Sequence, residues 1–204
     1  MNVKETIEKI RLVPVVVFND VSETLPTLKA MKEGDIPVAE ICYRTACAGE
    51  CIKLAAKEMG EEFLIGAGTV INATQCEEAI SYGAQFIVSP GLSDSVAAVC
   101  KAHNIPYFPG IATPTELMHA IDLGITSVKF FPASVYGGLK GIQAISAAFP
   151  QVRFLPTGGV GPDNLADFLR FKAIFACGGS WMMKGSYQEI TEKCLAARKI
   201  VKEL

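Results

Sequence analysis

The fold is decided by residues 153–179, which read RFLPTGGVGPDNLADFLRFKAIFACGG. This stretch begins and ends with a short apolar run, and a pair of glycines follows each run. Short apolar runs predict buried strands, glycine pairs predict tight turns, and the segment between them predicts a helix that begins near Asp163. The stretch therefore predicts two parallel strands that are joined by a helix and that both end in a glycine turn.

The same unit recurs along the whole chain. The eight apolar runs that predict strands are VPVVVF (13–18), VAEICY (38–43), FLIGAGT (63–69), FIVSPG (86–91), PYFPGI (106–111), SVKFFP (127–132), RFLPTGG (153–159) and IFACGG (174–179). Runs with so little alternation suit parallel strands that helices cover on both faces. We therefore expect an α/β protein of eight strand–helix units, preceded by an N-terminal helix in MNVKETIEKIRL.

Helix ends are marked between these runs. The predicted starts are Thr45, Asn72, Ser93 and Asp163, and the predicted stops are Gly60, Gly83 and Gly124. The final segment, YQEITEKCLAARKIVKEL (187–204), predicts a long amphipathic closing helix.

Eight such units fit either an open doubly wound sheet or a closed (β/α)8 TIM barrel. The paired glycine turns after strands seven and eight favour the barrel, as do polar residues at the carboxyl ends of many strands rather than two. A chain of 204 residues buries one core well and is short for two domains. We predict a single compact barrel domain over residues 1–204.

Composition excludes several functional classes. The formal net charge is −2 and the Lys and Arg residues are scattered, which argues against a nucleic-acid partner. No apolar run approaches the roughly 20 residues that cross a bilayer, and the N-terminus lacks the apolar middle of a signal peptide. The expected protein is a cytoplasmic enzyme with no membrane partner.

The seven cysteines contain no C-x-x-C pair, and neither histidine lies near a cysteine in sequence. Cys47 and Cys51 share a predicted helix face, which is the best case for a metal ligand pair. The spacings favour reduced cysteines that act as small core residues. No metal site is predicted.

Lys129 is the most informative residue, because it interrupts the apolar run SVKFFP. In a strand it shares a face with Phe131, while Val128 and Phe130 face the other way. If its face points inward, the ammonium is poorly hydrated, its pKa falls, and a neutral amine can attack a ketone. The alternative is a lysine that reaches solvent or pairs with a carboxylate.

The second strand places Glu40, Cys42 and Arg44 on one face. A buried carboxylate needs a partner, and Glu40 could pair with Arg44, with Lys129 or with both. One reading is a structural ion pair. The functional reading makes Glu40 a general acid and base and Arg44 a clamp for a substrate carboxylate.

The glycine turns suggest an anion site. TGGVGPDN (157–164) and CGGS (177–180) follow consecutive strands, and such turns offer backbone N–H groups to a phosphate. A lone glycine pair is usually only a turn. Thr69, in GAGT, could donate a hydroxyl hydrogen bond to a carboxylate.

The motifs PVVVF, AEICYRT, GAGTV, GAQFIVSPGL, PGIATPTEL, VKFFPA, RFLPTGG and GGSW stand in this order over nearly the whole chain. In this series the chain resembles the 2-keto-3-deoxy-6-phosphogluconate (KDPG) and 4-hydroxy-2-oxoglutarate (KHG) aldolases. These are class I aldolases that form a Schiff base with pyruvate in a (β/α)8 barrel. The resemblance implies a homotrimer that needs no metal or other cofactor.

The resemblance also implies roles for individual residues. Lys129 matches the Schiff-base lysine, Glu40 the proton acceptor and donor, and Arg44 the residue that holds the pyruvate carboxylate. The predicted substrate-binding residues are Arg44, Thr69, Pro90, Phe131, Thr157, Gly158, Gly159, Gly179 and Ser180, with the glycines and Ser180 at the phosphate.

Two positions depart from the family pattern: Ser134 and Ala46 stand where many relatives carry Glu. Both adjoin site residues, so they bear on substrate preference and not on the chemistry. Three other functions stay open from the residues alone. These are a metal-dependent pyruvate aldolase, a phosphosugar isomerase or epimerase, and a non-enzymatic protein that binds a phosphate ligand.

Overall fold

The computed structural model describes residues 2–204, in which strands and helices alternate. The strands are β1 Leu12–Val16, β2 Val38–Cys42, β3 Leu64–Gly68, β4 Phe86–Val88, β5 Tyr107–Phe108, β6 Gly110–Ile111, β7 Ser127–Phe130, β8 Arg153–Pro156 and β9 Cys177–Gly179. The α-helices are α1 Val3–Ile10, α2 Thr24–Glu33, α3 Ala48–Met59, α4 Ala73–Ser81, α5 Asp94–Ala102, α6 Pro114–Asp122, α7 Gly138–Ser146, α8 Leu165–Arg170 and α9 Tyr187–Lys202.

Each of the eight predicted runs contains a strand, and every strand pairing is parallel. All residues of β1, β2 and β3 are buried, as expected of strands that are covered on both faces. The fifth run differs from the expectation, since it contains two short strands, β5 and β6, on either side of Pro109. Proline has no N–H group for a strand ladder, which accounts for the break at this residue.

The strands form two parallel sheets, which we call the two arcs. Six strands are ordered β5-β4-β3-β2-β1-β9, and three are ordered β6-β7-β8. Two isolated parallel bridges, Phe154 with Ile174 and Thr157 with Gly178, connect the β8 region to the β9 region. The prediction of an α/β fold with a parallel sheet is confirmed.

Most predicted helix ends agree with the structure. Asn72 and Ser93 cap α4 and α5 with side-chain oxygens that accept backbone N–H groups, and Gly60 ends α3. Gly83 and Gly124 lie two residues past the ends of α4 and α6 with φ of 97° and 79°, a conformation that favours glycine.

Two predicted helix starts are wrong. The hydroxyl of Thr45 donates to the carbonyl of Phe18 at 2.7 Å, so it does not cap α3, which begins after Cys47. The helix α8 begins after Asn164 rather than Asp163. Asn164 accepts a hydrogen bond from the N–H of Gly161 at 2.9 Å and thereby fixes the loop that precedes the helix.

The first and last helices close the outer layer. The predicted N-terminal helix is α1, which buries Ile7 and Ile10 in the core. The predicted closing helix is α9, which packs against α2, where the hydroxyl of Thr191 donates to the carbonyl of Ala30 at 2.9 Å. No helix within residues 2–204 combines the length and the apolar character that a membrane crossing requires.

All seven cysteines are free thiols, and all except the half-buried Cys47 are buried. This agrees with their predicted place in the core. The thiols of Cys76 and Cys100 lie 3.5 Å apart between α4 and α5. Over the described part of the chain, no three His, Cys, Asp or Glu side chains gather as a metal ion would require.

Candidate active site

The side chains of Lys129 and Glu40 meet in the interior between the two arcs. The Nζ atom of Lys129 lies 3.1 Å from Oε1 of Glu40 and donates a hydrogen bond to it. Lys129 is 2% exposed and Glu40 is 0% exposed, so the two charges are removed from water together. Of the pairings considered for Glu40, the one with Lys129 forms, and the alternative of a solvent-reaching lysine is wrong.

Strand register and one glycine account for this meeting. Glu40 lies on β2 between Val15 and Gly66, and Lys129 lies on β7 between Gly110 and Leu155. A Cβ atom on Gly68 would stand 2.4 Å from Oε1 of Glu40. The absence of a side chain at residue 68 therefore leaves the space in which the Glu40 carboxylate lies.

The surroundings of the pair are mostly apolar. The second carboxylate oxygen of Glu40, Oε2, is buried and has no hydrogen-bond partner among the described residues. The ring centroid of Phe131 lies 5.1 Å from Nζ of Lys129, on the predicted shared face. An unpaired buried carboxylate oxygen is costly, and it leaves an acceptor for a proton or a hydroxyl group from a ligand.

The thiol of Cys42 completes the face of β2. Its Sγ atom lies 3.7 Å from Oε1 of Glu40. Burial, reinforced by the negative charge of Glu40, raises the pKa of the Cys42 thiol to about 12. Cys42 is therefore a neutral neighbour of the carboxylate at ordinary pH and not a nucleophile.

Arg44 and Thr69 lie where β2 and β3 end. The Nε atom of Arg44 donates to the hydroxyl of Thr69 at 3.2 Å. No other hydrogen bond of the Arg44 side chain occurs in the described residues, so its terminal nitrogens can bind another group. The pairing of Glu40 with Arg44, which was one of the open alternatives, does not form.

A cleft of about 240 Å³ adjoins the ion pair through Phe131. Its lining comprises Val15, Arg44, Phe131, Thr157, Gly158, Gly159, Val160, Gly179, Ser180, Trp181 and Lys184. The structure thus brings most of the predicted binding residues to one place. Pro90 is exposed and lies outside this lining, so its role stays a prediction.

The glycine turns border this cleft. Gly158 and Gly159 have φ of 90° and 82°, which other residues rarely adopt. A Cβ atom on Gly159 would stand 2.3 Å from Cβ of Ser134, so Ser134 packs directly against the turn. A Cβ atom on Gly178 would stand 2.3 Å from the buried hydroxyl oxygen of Thr157. Turns of this kind present backbone N–H groups to an anion.

Residues that the sequence did not indicate also border the cleft. Lys184 lies just after the 3-10 turn Trp181–Met183 and is exposed. A single lysine in a polar loop has no sequence signature, so only its position beside the glycine turns distinguishes it. Ala46 is exposed.

A second cleft, of about 340 Å³, lies at the amino ends of the strands, near Tyr107 and Ser127. It contains none of the predicted site residues and no acidic side chain. Although this cleft is larger, its lining contains no pair of reactive side chains comparable with Lys129 and Glu40.

Comparisons with known proteins agree with this geometry. The family model described as KDPG and KHG aldolase matches residues 3–195. The KHG/KDPG aldolase of Escherichia coli K12 is 42% identical over 187 residues, which cover 89% of this chain and 87% of that protein.

Solved structures are similar over nearly the whole length. The KDPG aldolase of Legionella pneumophila, with pyruvate captured at low pH as a covalent carbinolamine intermediate, has a TM-score of 0.91 at 34% identity. The match covers 95% of this chain and 97% of that chain. The KDPG aldolase of Zymomonas mobilis ZM4 with 3-phosphoglycerate also has a TM-score of 0.91 at 34% identity, covering 98% and 97%.

A buried amine is suited to Schiff-base chemistry, and the neighbouring carboxylate can accept its proton. The family match extends over almost the entire chain. The chain therefore belongs to the KDPG and KHG aldolase family, and it is a class I aldolase that cleaves a keto acid to pyruvate and an aldehyde.

Proposed function

We propose that Lys129 forms the Schiff base and that Glu40 moves the protons of the reaction. The observation that carries this proposal is the buried contact of 3.1 Å between Nζ of Lys129 and Oε1 of Glu40. A carboxylate at this distance can take the proton of the ammonium and leave a neutral amine. Its second oxygen, Oε2, has no hydrogen-bond partner in the part of the chain that the structure describes, so it is available to a substrate hydroxyl group.

The reaction runs as a reversible retro-aldol cleavage. The amine of Lys129 attacks the C2 ketone to give a carbinolamine, which loses water to form an iminium ion. Glu40, directly or through a water molecule, removes the proton of the C4 hydroxyl group. The C3–C4 bond then breaks, its electrons pass into the iminium, and an aldehyde leaves. Glu40 returns a proton to C3 of the enamine, and hydrolysis of the imine frees pyruvate and Lys129.

Arg44 and Thr69 orient the keto acid. The terminal nitrogens of Arg44 have the planar geometry that binds two carboxylate oxygens, and its Nε is fixed by the hydroxyl of Thr69 at 3.2 Å. Phe131 and Thr157 line the same cleft. Holding the carboxylate places C2 next to the amine and makes the attack effectively intramolecular.

The substrate is proposed to be a phosphorylated 2-keto-3-deoxy acid, KDPG, which yields pyruvate and glyceraldehyde 3-phosphate. Support comes from the glycine turns at Gly158, Gly159, Gly179 and Ser180, and from the relative whose structure contains 3-phosphoglycerate. The smaller 4-hydroxy-2-oxoglutarate, which yields glyoxylate, is the second candidate, because the relative from Escherichia coli K12 bears both substrate names.

We further infer that the two arcs are parts of one closed (β/α)8 barrel in a single domain. The fifth strand is interrupted only at Pro109, and the isolated bridges at Phe154 and Thr157 join the β8 region to the β9 region. A contact between β2 and β7 across the interior also suits a closed barrel. The assembly is proposed to be a homotrimer that acts in the cytoplasm.

Borohydride reduction in the presence of pyruvate tests the chemistry. One reduced pyruvate adduct per chain is expected at Lys129, identified by peptide mass spectrometry, and none is expected in Lys129→Met. Lys172→Met is the matched control, because Lys172 is exposed and should leave labelling unchanged. Labelling of Lys129→Met at another lysine would show that the assignment is wrong.

The same experiment separates two of the competing functions, and treatment with a chelator separates the third. A phosphosugar isomerase or epimerase and a non-enzymatic binding protein would form no reducible adduct with pyruvate. A metal-dependent aldolase would lose activity after treatment with EDTA, whereas full activity is expected here.

A further inference from the structure

The charges of the cleft are all of one sign. Among the residues that line it, only Arg44 and Lys184 carry a charge, and both are cations. Arg44 is bound to Thr69 through Nε and belongs to the end of β2, beside the ion pair. Lys184 belongs to the loop that follows the Gly179–Ser180 turn. The two cations are therefore available to two different anionic groups of one ligand.

Lys184 is held in place by its backbone and not by its side chain. Its carbonyl accepts a hydrogen bond from the ammonium of Lys193 on α9. Its own side chain is exposed and forms no ion pair with any of the described residues. Because its backbone is held and its side chain is unpaired within residues 2–204, this cation is free to pair with a bound anion.

The backbone N–H groups of the glycine turns would not by themselves neutralise the charge of a bound phosphate. Backbone N–H groups supply partial positive charges, whereas a phosphate monoester carries about −1.5 to −2 at pH 7. A full positive charge beside the turns would complement this negative charge.

We propose that Lys184 is a specificity-determining residue, whose ammonium pairs with the substrate phosphate and favours phosphorylated keto acids over the same acids without phosphate. This inference rests on the proposed aldolase function. It adds a side-chain cation to the backbone turns and leaves the Schiff-base chemistry at Lys129 untouched.

A pair of substrates that differ only in the phosphate tests the proposal. For Lys184→Met, kcat/KM for KDPG should fall about tenfold, mostly through KM, as expected when one charge-assisted contact to an anion is lost. The value for unphosphorylated 2-keto-3-deoxygluconate should stay within about twofold. Lys184→Arg, which keeps the charge, should retain most of the preference, and Lys172→Met should change neither value.

Inhibition by inorganic phosphate gives a readout that does not depend on substrate chemistry. Inorganic phosphate should compete with KDPG in the wild type, and its inhibition constant should rise in Lys184→Met. The KM of the wild type for KDPG should also increase with ionic strength more steeply than that of the variant, because salt screens an exposed ion pair.

Two results would overturn the assignment. An equal fall of kcat/KM for both substrates would show that Lys184 supports the fold or the chemistry, and unchanged values for both would show that the turns suffice. Failure of the aldolase function itself looks different, since the wild type would then give no borohydride adduct with pyruvate.

Discussion

At the scale of single residues, the Lys129–Glu40 pair is costly to bury. Removing two charges from water costs several kcal/mol each, and their attraction repays this only with good geometry and satisfied neighbours. Here Oε2 of Glu40 has no hydrogen-bond partner within residues 2–204, and the neighbouring sulfur, that of Cys42, belongs to a neutral thiol. A pair that is incompletely satisfied is poor evidence for a stabilising role, which favours a role in chemistry.

The proton-transfer role of Glu40 leads to the first prediction. Glu40→Gln keeps the shape of the side chain but cannot accept a proton, so kcat should fall about 10²- to 10⁴-fold. Adduct formation with pyruvate and borohydride should survive at least in part, because Lys129 is still present. Steady-state kinetics and mass spectrometry measure the two effects, and an unchanged kcat would remove Glu40 from the mechanism.

Gly68 gives a second prediction at this scale. In Gly68→Ala the new methyl group would lie 2.4 Å from Oε1 of Glu40 and 2.8 Å from Sγ of Cys42, which must displace the carboxylate. Thermal unfolding should show a loss of about 1–3 kcal/mol, and kcat/KM should fall at least tenfold.

Gly91→Ala is the matched control for this variant, since a Cβ atom on Gly91 meets nothing within 4 Å. Its stability and activity should match those of the wild type. Wild-type activity in Gly68→Ala would mean that Glu40 does not need its observed position.

At the scale of elements, α9 is anchored to the loop before β2 by charge. Oδ2 of Asp35 lies 3.2 Å from Nε of Arg198 and 2.8 Å from Nζ of Lys202. Arg198 also donates to the carbonyl of Ile10 at 2.8 Å, so this corner joins the first and last helices of the chain. The hydrogen bond from Lys202, assisted by Arg198, holds the pKa of Asp35 below its ordinary value of 3.8.

Asp35→Asn tests this anchor. Asn also tolerates the φ of 62° at this position, so the change removes charge without adding backbone strain. Because the folded pKa is lowered, the carboxylate stabilises the fold above pH 3.8, and this contribution is lost as the pH falls through the folded pKa. Denaturant unfolding at pH 7 should show a loss of about 1 kcal/mol that disappears in strong acid. A loss that persisted unchanged in strong acid would show that charge is not its cause.

At the scale of the whole molecule, burial of weak acids predicts sensitivity to alkali. Burial raises the pKa of Cys42 and Cys194 to about 12 from 9.0, and that of Tyr107 to about 12 from 10.0. Such groups bind their protons more tightly in the folded chain than in the unfolded chain. The free energy of unfolding should therefore be steady up to about pH 9 and should fall as the pH rises from 9 towards 12.

Chemical denaturation between pH 7 and pH 11 measures this fall. Cys194→Ala should show a shallower decline than the wild type, because it removes one of the contributing thiols. An equal slope in both proteins would show that Cys194 ionises in the same range folded and unfolded.

The proposed trimer is also a property of the whole molecule. Large apolar side chains are exposed at Val135 (73%), Ile71 (59%) and Met118 (59%), and each is a candidate for burial at a subunit interface. Light scattering should give a mass of three times 21.8 kDa. A monomeric mass in solution would contradict the proposal.

The sequence alone determined the order of strands and helices, most helix ends and the glycine turns. It also identified Lys129 as a charged residue within an otherwise apolar strand. These features are local, because burial on both faces and tight turns leave their pattern within a few neighbouring residues. The sequence also placed Glu40, Cys42 and Arg44 on one face, since a strand fixes that spacing.

Only the tertiary structure decided which partners these residues take. Glu40 pairs with Lys129, which lies 89 residues away in sequence, and Arg44 donates a hydrogen bond to Thr69. Lys184 lines the same cleft as the glycine turns, although its loop contains no recognisable motif. The start of α3 was misjudged for the same reason, because Thr45 donates to Phe18, 27 residues earlier. Such contacts depend on how distant strands and loops approach one another, and no pattern of neighbouring residues specifies that approach.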